Sequence, residues 1–326
     1  LFTEEINRVG YISRSVPVDR NLKTAILELK KQKNAVILAH YYVHPEIQAL
    51  ADVVGDSLAL AHAAKKTDAD IILFCGVHFM AETAKILNPQ KKVILPDLNA
   101  GCSLADSTPA EEFSAFKAAN PNAVVVSYIN CSAEVKAMSD IICTSSNAIE
   151  IVNSIPLNKK IIFAPDKNLG TYVSKVTGRE MILWDGACIV HVNISLDKLV
   201  ALQLKYPEAE LIAHPECESE ILERADFIGS TKALIEYAQT SSLETFIVAT
   251  EAGILYKMRE LIPDKLIIPA PALETNSCAC SECPYMKMNT LEKVFNALYF
   301  ELPEIKLDNS IIEKASIALD NMLAVK

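Results

Sequence analysis

The chain has 326 residues, 51% hydrophobic and 22% charged, an ordinary globular composition with enough apolar material for buried cores. Its formal net charge is −10 and its basic residues are dispersed, which speaks against a nucleic-acid or anionic-membrane surface. No apolar run approaches the roughly 18 residues of a membrane span, no signal-peptide pattern is present, and the nine cysteines, without compact disulfide spacing, read as reduced thiols of a cytoplasmic protein, some of them metal ligands.

Residues 1–20 read as a peripheral N-terminal arm. Three strands then end alike. Ala35–Ala39 runs into His40-Tyr41-Tyr42, Ala123–Ser127 into Tyr128-Ile129-Asn130, and Glu210–Ala213 into His214-Pro215-Glu216. Taking His40, Tyr128 and His214 as equivalent gives offsets of 88 and 86 residues. Asp140 and Asp226 each lie 12 residues past their anchor, and the first copy is aligned on Asp70, 30 past His40, through a longer connecting helix. The second strands lead to helices carrying Glu82, Glu150 and Glu236. Third strands at Val93–Pro96, Ile161–Pro165 and Phe246–Thr250 are followed by Asp97, Asp166 and Glu251. Landmarks that keep step across copies are the signature of an internal repeat.

Strands alternating with helical stretches predict an α/β fold of three repeated αβα domains with parallel sheets, in a pseudo-threefold arrangement around a central active site. Right-handed crossovers put the strand C-terminal ends on one edge of each sheet, where ligands bind in open α/β folds. The expected units are 21–120, 121–205 and 206–289, with C-terminal helices over 290–326 packing on the repeats.

Cys102 lies in the small-residue turn Asn99-Ala-Gly-Cys-Ser, and Cys188 in Trp184-Asp-Gly-Ala-Cys, just past a strand. Cys283 closes Cys278-Ala-Cys280-Ser-Glu-Cys283-Pro284. Measured from the third-strand acids, the three cysteines are not strict repeat equivalents, but their loops can converge. That last loop fits a cluster ligand, a zinc site or a redox pair. Three thiolates without a fourth suit an iron–sulfur cluster with one iron left open for substrate. Cys75 and Cys143 read as buried apolar thiols, and Cys131 and Cys217 as structural.

His40, Tyr42, Tyr128, Asn130, His214 and Glu216 occupy matching i and i+2 positions, so in extended backbone each pair faces one side. The helix starts at Ser57, Thr144-Ser145-Ser146 and Ser230-Thr231 offer hydroxyls and free N–H groups that cap helices and also bind phosphate or carboxylate. His191, three residues past Cys188, is a pocket candidate, whereas His44, His62 and His78 read as surface or packing residues. Neither a P-loop nor G-x-G-x-x-G occurs.

These segments together resemble one family, the NadA-type quinolinate synthases of NAD biosynthesis. The resemblance is carried by Ile37-Leu-Ala-His-Tyr-Tyr42, Gly55-Asp-Ser57, Phe79-Met-Ala-Glu-Thr-Ala-Lys-Ile-Leu-Asn-Pro89, Ala164-Pro-Asp-Lys-Asn-Leu169, Ile212-Ala-His-Pro-Glu-Cys217 and the cysteine-rich loop before Met286-Lys-Met-Asn-Thr-Leu291. It implies a [4Fe-4S] cluster on Cys102, Cys188 and Cys283, whose open iron acts as a Lewis acid. It also implies condensation of iminoaspartate with dihydroxyacetone phosphate, releasing phosphate and two waters, and a functional link to the enzyme supplying iminoaspartate. Tyr42, Glu216, His214 and Tyr128 would be catalytic. His40, Ser57, Asn130, Ser145, His191, Ser230 and Thr231 would bind substrate. A commonly described family form has C-x2-C-x2-C in the last loop, and this chain departs from it with Cys278-x-Cys280-x2-Cys283. The alternatives are another cluster-dependent hydro-lyase and a metal-stabilised sensor of a phosphorylated metabolite.

Overall fold

A computed structural model describes residues 2–16, 21–273 and 281–325. Its strands are β1 (Ala35–His40), β2 (Val53–Gly55), β3 (Ile71–Cys75), β4 (Lys92–Ile94), β5 (Val124–Tyr128), β6 (Ile141–Cys143), β7 (Ile161–Ala164), β8 (Ile182–Leu183), β9 (Glu210–Ala213), β10 (Phe227–Ile228), β11 (Thr245–Ala249) and β12 (Leu266–Pro269). They form three four-stranded sheets in the orders β2-β1-β3-β4, β6-β5-β7-β8 and β10-β9-β11-β12. Every neighbouring pair is parallel. The fold is therefore the expected α/β arrangement of three αβα repeats. The central strands are short apolar runs buried on both faces, such as Ile71-Ile-Leu-Phe-Cys75, as parallel sheets covered by helices require.

Three aspartates fix the repeat register. The N–H of Ile37 donates to Asp52 at 2.8 Å, that of Val125 to Asp140 at 2.7 Å and that of Leu211 to Asp226 at 2.8 Å. Each aspartate returns its own N–H to the carbonyl of the same strand residue. Asp52 lies 12 residues past His40, so Asp52, not Asp70, is the landmark of the first copy. Asp70 instead leads into β3. Val93 belongs to the fourth strand of its sheet, not the third. Glu82 lies on the helix His78–Leu87 between third and fourth strands, whereas Glu150 and Glu236 lie on helices between second and third. The expected alignment had slipped the first copy by one strand–helix unit. With the register corrected, Cys102, Cys188 and Cys283 all follow the fourth strand of their own repeat and are equivalents after all.

The first and second sheets share one continuous apolar cluster, which includes Ile37, Leu73, Phe163, Val294 and Leu319. A smaller cluster around Phe113, Val125 and Ile162 covers the other face of the second sheet. The third sheet has its own clusters, one around Leu234, Phe246 and Met258 and one around Leu199, Leu211 and Ile247. The two expected C-terminal helices are Leu291–Phe300 and Asn309–Ala324. The latter packs on helices Ala133–Ala137 and His78–Leu87, bridging the first two repeats. In the N-terminal arm, helix Phe2–Val9 sets Phe2 against Phe300 with ring centroids 4.8 Å apart. Among the described residues, no helix is long and apolar enough to cross a membrane.

Candidate active site

The first strands end on one cavity of about 70 Å³ lined by all three repeats. His40 and His214 sit at the same repeat position and make the same local bond. The Tyr42 N–H donates to His40 Nδ1 at 3.3 Å, and the Glu216 N–H to His214 Nδ1 at 3.4 Å. A ring whose Nδ1 accepts carries its hydrogen on Nε2, so these bonds assign the tautomer. Nε2 of His214 lies 3.1 Å from Ser145 Oγ. Burial lowers both histidines to about 3, so both are neutral.

Glu216 is the hub. The Tyr128 hydroxyl donates to its Oε1 at 2.5 Å, His214 Nδ1 lies 3.7 Å from the same oxygen, and His191 Nδ1 lies 3.1 Å from Oε2. That last approach is an ion-pair distance without hydrogen-bond alignment. Burial opposes charge on Glu216, but His191, His214 and the Tyr128 hydroxyl outweigh it and hold the carboxyl below its ordinary range. Tyr128 is pushed well up by burial and by the Glu216 charge, so it is the donor.

A chain of contacts continues from Glu216 into the first repeat. His191 Nε2 lies 3.0 Å from Thr250 Oγ1, which lies 3.3 Å from the Tyr42 hydroxyl, itself 2.8 Å from Thr231 Oγ1. The rings of His191 and His214 stack at 4.9 Å. Burial raises the Tyr42 phenol, which is therefore protonated at neutral pH. Asn130 Oδ1 is buried without a hydrogen-bond partner, an acceptor aimed at the space a ligand would fill.

Cys102, Cys188 and Cys283 all line this cavity. Each opens a helical turn whose i+2 and i+3 N–H groups favour its thiolate. These belong to Leu104 and Ala105 for Cys102, Val190 and His191 for Cys188, and Tyr285 and Met286 for Cys283. Burial nevertheless pushes Cys102 up to about 12, Cys283 to about 11 and Cys188 well above the usual thiol value. The Cys283 charge adds to the rise at Cys102, and the Cys102 charge to that at Cys188. Three soft donors gathered in a dry pocket need a positively charged partner to ionise together, which is the chemistry of a thiolate-held metal centre. Donor atoms of Cys188, His191 and Glu216 also lie within 4.8 Å of one another, a further grouping compatible with a metal.

Of the expected site residues, His40, Tyr42, Ser57, Tyr128, Asn130, Ser145, His191, His214, Glu216 and Thr231 line the cavity with the three cysteines. Ser230 does not; it caps helix Thr231–Thr240 through the Ala233 N–H at 3.3 Å. Cys278 and Cys280 lie outside the described residues. Cys75, Cys131, Cys143 and Cys217 are buried away from the cavity, and Cys217 Sγ donates to Ala249 O at 3.3 Å. Sequence reasoning left Asp56 and Thr250 out of the site. Asp56 lines the cavity, caps helix Ser57–Lys66 and accepts the Ser146 hydroxyl at 2.8 Å, latching the first repeat to the second. The Gly55-Asp-Ser sequence offered a signal for Asp56, whereas nothing local marked Thr250.

Comparison with known proteins gives one family. The family described as quinolinate synthetase A protein matches residues 24–324. A quinolinate synthase of Trichormus variabilis is 60% identical over 308 residues, 94% of each chain. One of Nostoc punctiforme matches equally, and one of Microcystis aeruginosa is 59% identical over 309 residues, 95% of this chain and 96% of its own. With the family's match running nearly end to end over three sheets that converge on a thiol-lined pocket, the chain belongs to the quinolinate synthetase A family of enzymes.

Proposed function

We propose that the pocket condenses iminoaspartate with dihydroxyacetone phosphate to quinolinate, with loss of phosphate and two waters, and that Cys102, Cys188 and Cys283 hold a [4Fe-4S] cluster. One observation carries this. Three cysteines from the same position of three repeats, each with two N–H groups favouring its thiolate, line one cavity whose other polar groups are not thiols. When bound, such a cluster supplies a Lewis acid that polarises an oxygen about to leave.

The chain's own groups do the rest. Ser57, Ser145 and Thr231 stand at one repeat position, offset by 88 and 86 residues; Ser57 and Thr231 open their helices, and Ser145 lies in the turn that leads into helix Ala148–Ser154. Hydroxyls at helix starts suit phosphate and carboxylate oxygens and hold two small substrates in register. His40 and His214, neutral with Nε2–H, orient substrate oxygens as donors, and Asn130 Oδ1 accepts from a substrate N–H or O–H. Glu216, kept ionised, takes a proton, and the Tyr42 phenol, kept protonated, gives one; the contacts through Thr250 and His191 connect the two. The enclosed cavity limits hydrolysis of a reactive imine.

The same proposal divides the chain into an arm at 1–20, repeats at 21–120, 121–205 and 206–289, and terminal helices at 290–326. It also places the protein in the cytoplasm beside an enzyme supplying iminoaspartate. The test is anaerobic reconstitution with iron and sulfide, followed by assay of quinolinate and phosphate from the two substrates. Stoichiometric formation of both supports it. A reconstituted, iron-loaded protein that forms neither overturns the reaction, and a protein holding iron without sulfide overturns the cluster.

A further inference from the structure

Two buried acids stand two residues past the third strands of their repeats, Asp166 after β7 and Glu251 after β11. Glu251 is 1% exposed. Its Oε1 accepts the Cys283 N–H at 2.9 Å, and its Oε2 accepts the Gly253 N–H at 2.6 Å. Beside it, the Ala252 N–H donates to Ser281 O at 2.9 Å. Lys287 Nζ lies 4.0 Å from Glu251 Oε1 and donates to Tyr42 O at 3.0 Å. His44 Nε2 lies 3.2 Å from Lys287 O, and Asn289 Nδ2 donates to Gly76 O at 2.9 Å. The segment around Cys283 is thus clasped between the third repeat and the first.

Asp166 stands at the same place in the second repeat with fewer bonds. It is fully buried, accepts the Leu169 N–H at 2.8 Å and forms a bridge with Gly186. The Lys167 N–H donates to Gly186 O at 2.8 Å, whereas Asp166 Oδ2 is buried without a hydrogen-bond partner. In the first repeat the equivalent position is Val77, and there the same backbone bond, His78 N–H to Ala100 O at 2.7 Å, holds the loop without an acid. An apolar residue therefore suffices for the fold at this position. A buried carboxylate is costly unless its oxygens find donors, and the donors that Glu251 finds are the N–H of Cys283 and that of its own turn. The need is greatest for Cys283. Its loop runs 14 residues past β12, against 8 from β4 to Cys102 and 5 from β8 to Cys188.

We propose that Glu251 is a positioning residue for the cysteine-held metal group: it fixes the main chain of Cys283, and with it the direction of the sulfur. This rests on the ligand assignment proposed above. Residues behind metal ligands set affinity through orientation, and their loss typically costs about 10–100-fold. Lys287 completes the clasp by joining the Cys283 segment to the backbone of Tyr42.

The test compares wild type, Glu251→Ala, Glu251→Gln and Cys283→Ala after anaerobic reconstitution. It measures iron and sulfide per chain, the rate of iron loss to a chelator, and the thermal unfolding of each metal-free protein. We expect Glu251→Ala to release iron about 10–100-fold faster than wild type. Glu251→Gln, which keeps one amide oxygen to accept the Cys283 N–H, should fall between them. If Glu251→Ala does not fold without metal, Glu251→Gln decides alone, by releasing iron faster than wild type while its metal-free protein unfolds at the wild-type temperature. Wild-type release rates in the folded Glu251 variants overturn the positioning role while leaving the cluster intact. Full iron content in Cys283→Ala overturns the ligand assignment and this inference with it.

Discussion

The Tyr128 hydroxyl of the second repeat donates to Glu216 Oε1 of the third at 2.5 Å, a bond that exists only when the two repeats are docked. It leaves Glu216 Oε2 toward His191 and places an ionised carboxylate beside the neutral His214. We predict that Glu216→Gln lowers turnover by roughly 10²–10⁴ with iron and sulfide content unchanged, the usual scale for a general acid–base group. Tyr42→Phe, which keeps the ring packed on His40 at 4.3 Å, should do the same. Steady-state kinetics decide the role. A fall in kcat marks proton transfer, and a change confined to KM marks binding instead.

Thr250→Val removes one hydroxyl between His191 and Tyr42 and keeps the side-chain shape. The expected result is a loss of about 10-fold in kcat, because groups that orient catalytic ligands usually matter at that scale. Iron content and unfolding temperature should stay near wild type. Unchanged kcat would show that the Tyr42 and Glu216 ends of the chain work independently.

Ala at Cys102, Cys188 or Cys283 should abolish the visible absorbance of the anaerobically reconstituted protein. Ala at both Cys278 and Cys280 should leave the cluster and most turnover in place. Loss of the cluster in that double variant, with retention in Cys283→Ala, would move the third ligand to the preceding pair.

Glu301 offers a test of stability away from the site. Hydrogen bonds from Lys33 and Lys92 lower its carboxyl below the ordinary 4.5. A depressed carboxyl stabilises the fold above its unfolded value, and that stabilisation is lost as pH falls through the folded value. The side chain is 31% exposed, so screening keeps the contribution under ~1 kcal/mol. Glu301→Gln should therefore be slightly less stable than wild type at pH 7. The gap, measured by urea unfolding, should close as the pH is taken well below 4.5.

Most of the fold was legible because central parallel strands are short apolar runs, and three of them stop at matched polar pairs. His40/Tyr42, Tyr128/Asn130 and His214/Glu216 kept an offset the eye can find, and Ser57, Ser145 and Thr231 keep the same one. The register failed in the first copy because β2 is only Val53–Gly55, behind a single helical turn at Pro45–Gln48. Asp52-Val-Val and Asp70-Ile-Ile both fit the landmark, and the longer apolar run of β3 drew the alignment to Asp70. That slip hid the equivalence of the three cysteines. Thr250 and Glu251 were invisible as site residues for another reason. Their roles come from what reaches them across repeats, His191 and Tyr42 for one and Cys283 for the other, and no local pattern records such a partner.

The third sheet has apolar clusters of its own on both faces, one of them completed by Leu199 of helix Leu196–Lys205, while the first two sheets share a core and a bridging C-terminal helix. Tyr41 and Tyr42 are the first-repeat side chains that pack on the third repeat's apolar cluster. Beyond them, much of the join runs through the polar pocket and the Cys283 segment. Whatever binds there acts as mortar as well as reagent. Its binding free energy adds to the cohesion of the three repeats that line the pocket, so occupancy and the resistance of the molecule to unfolding rise together.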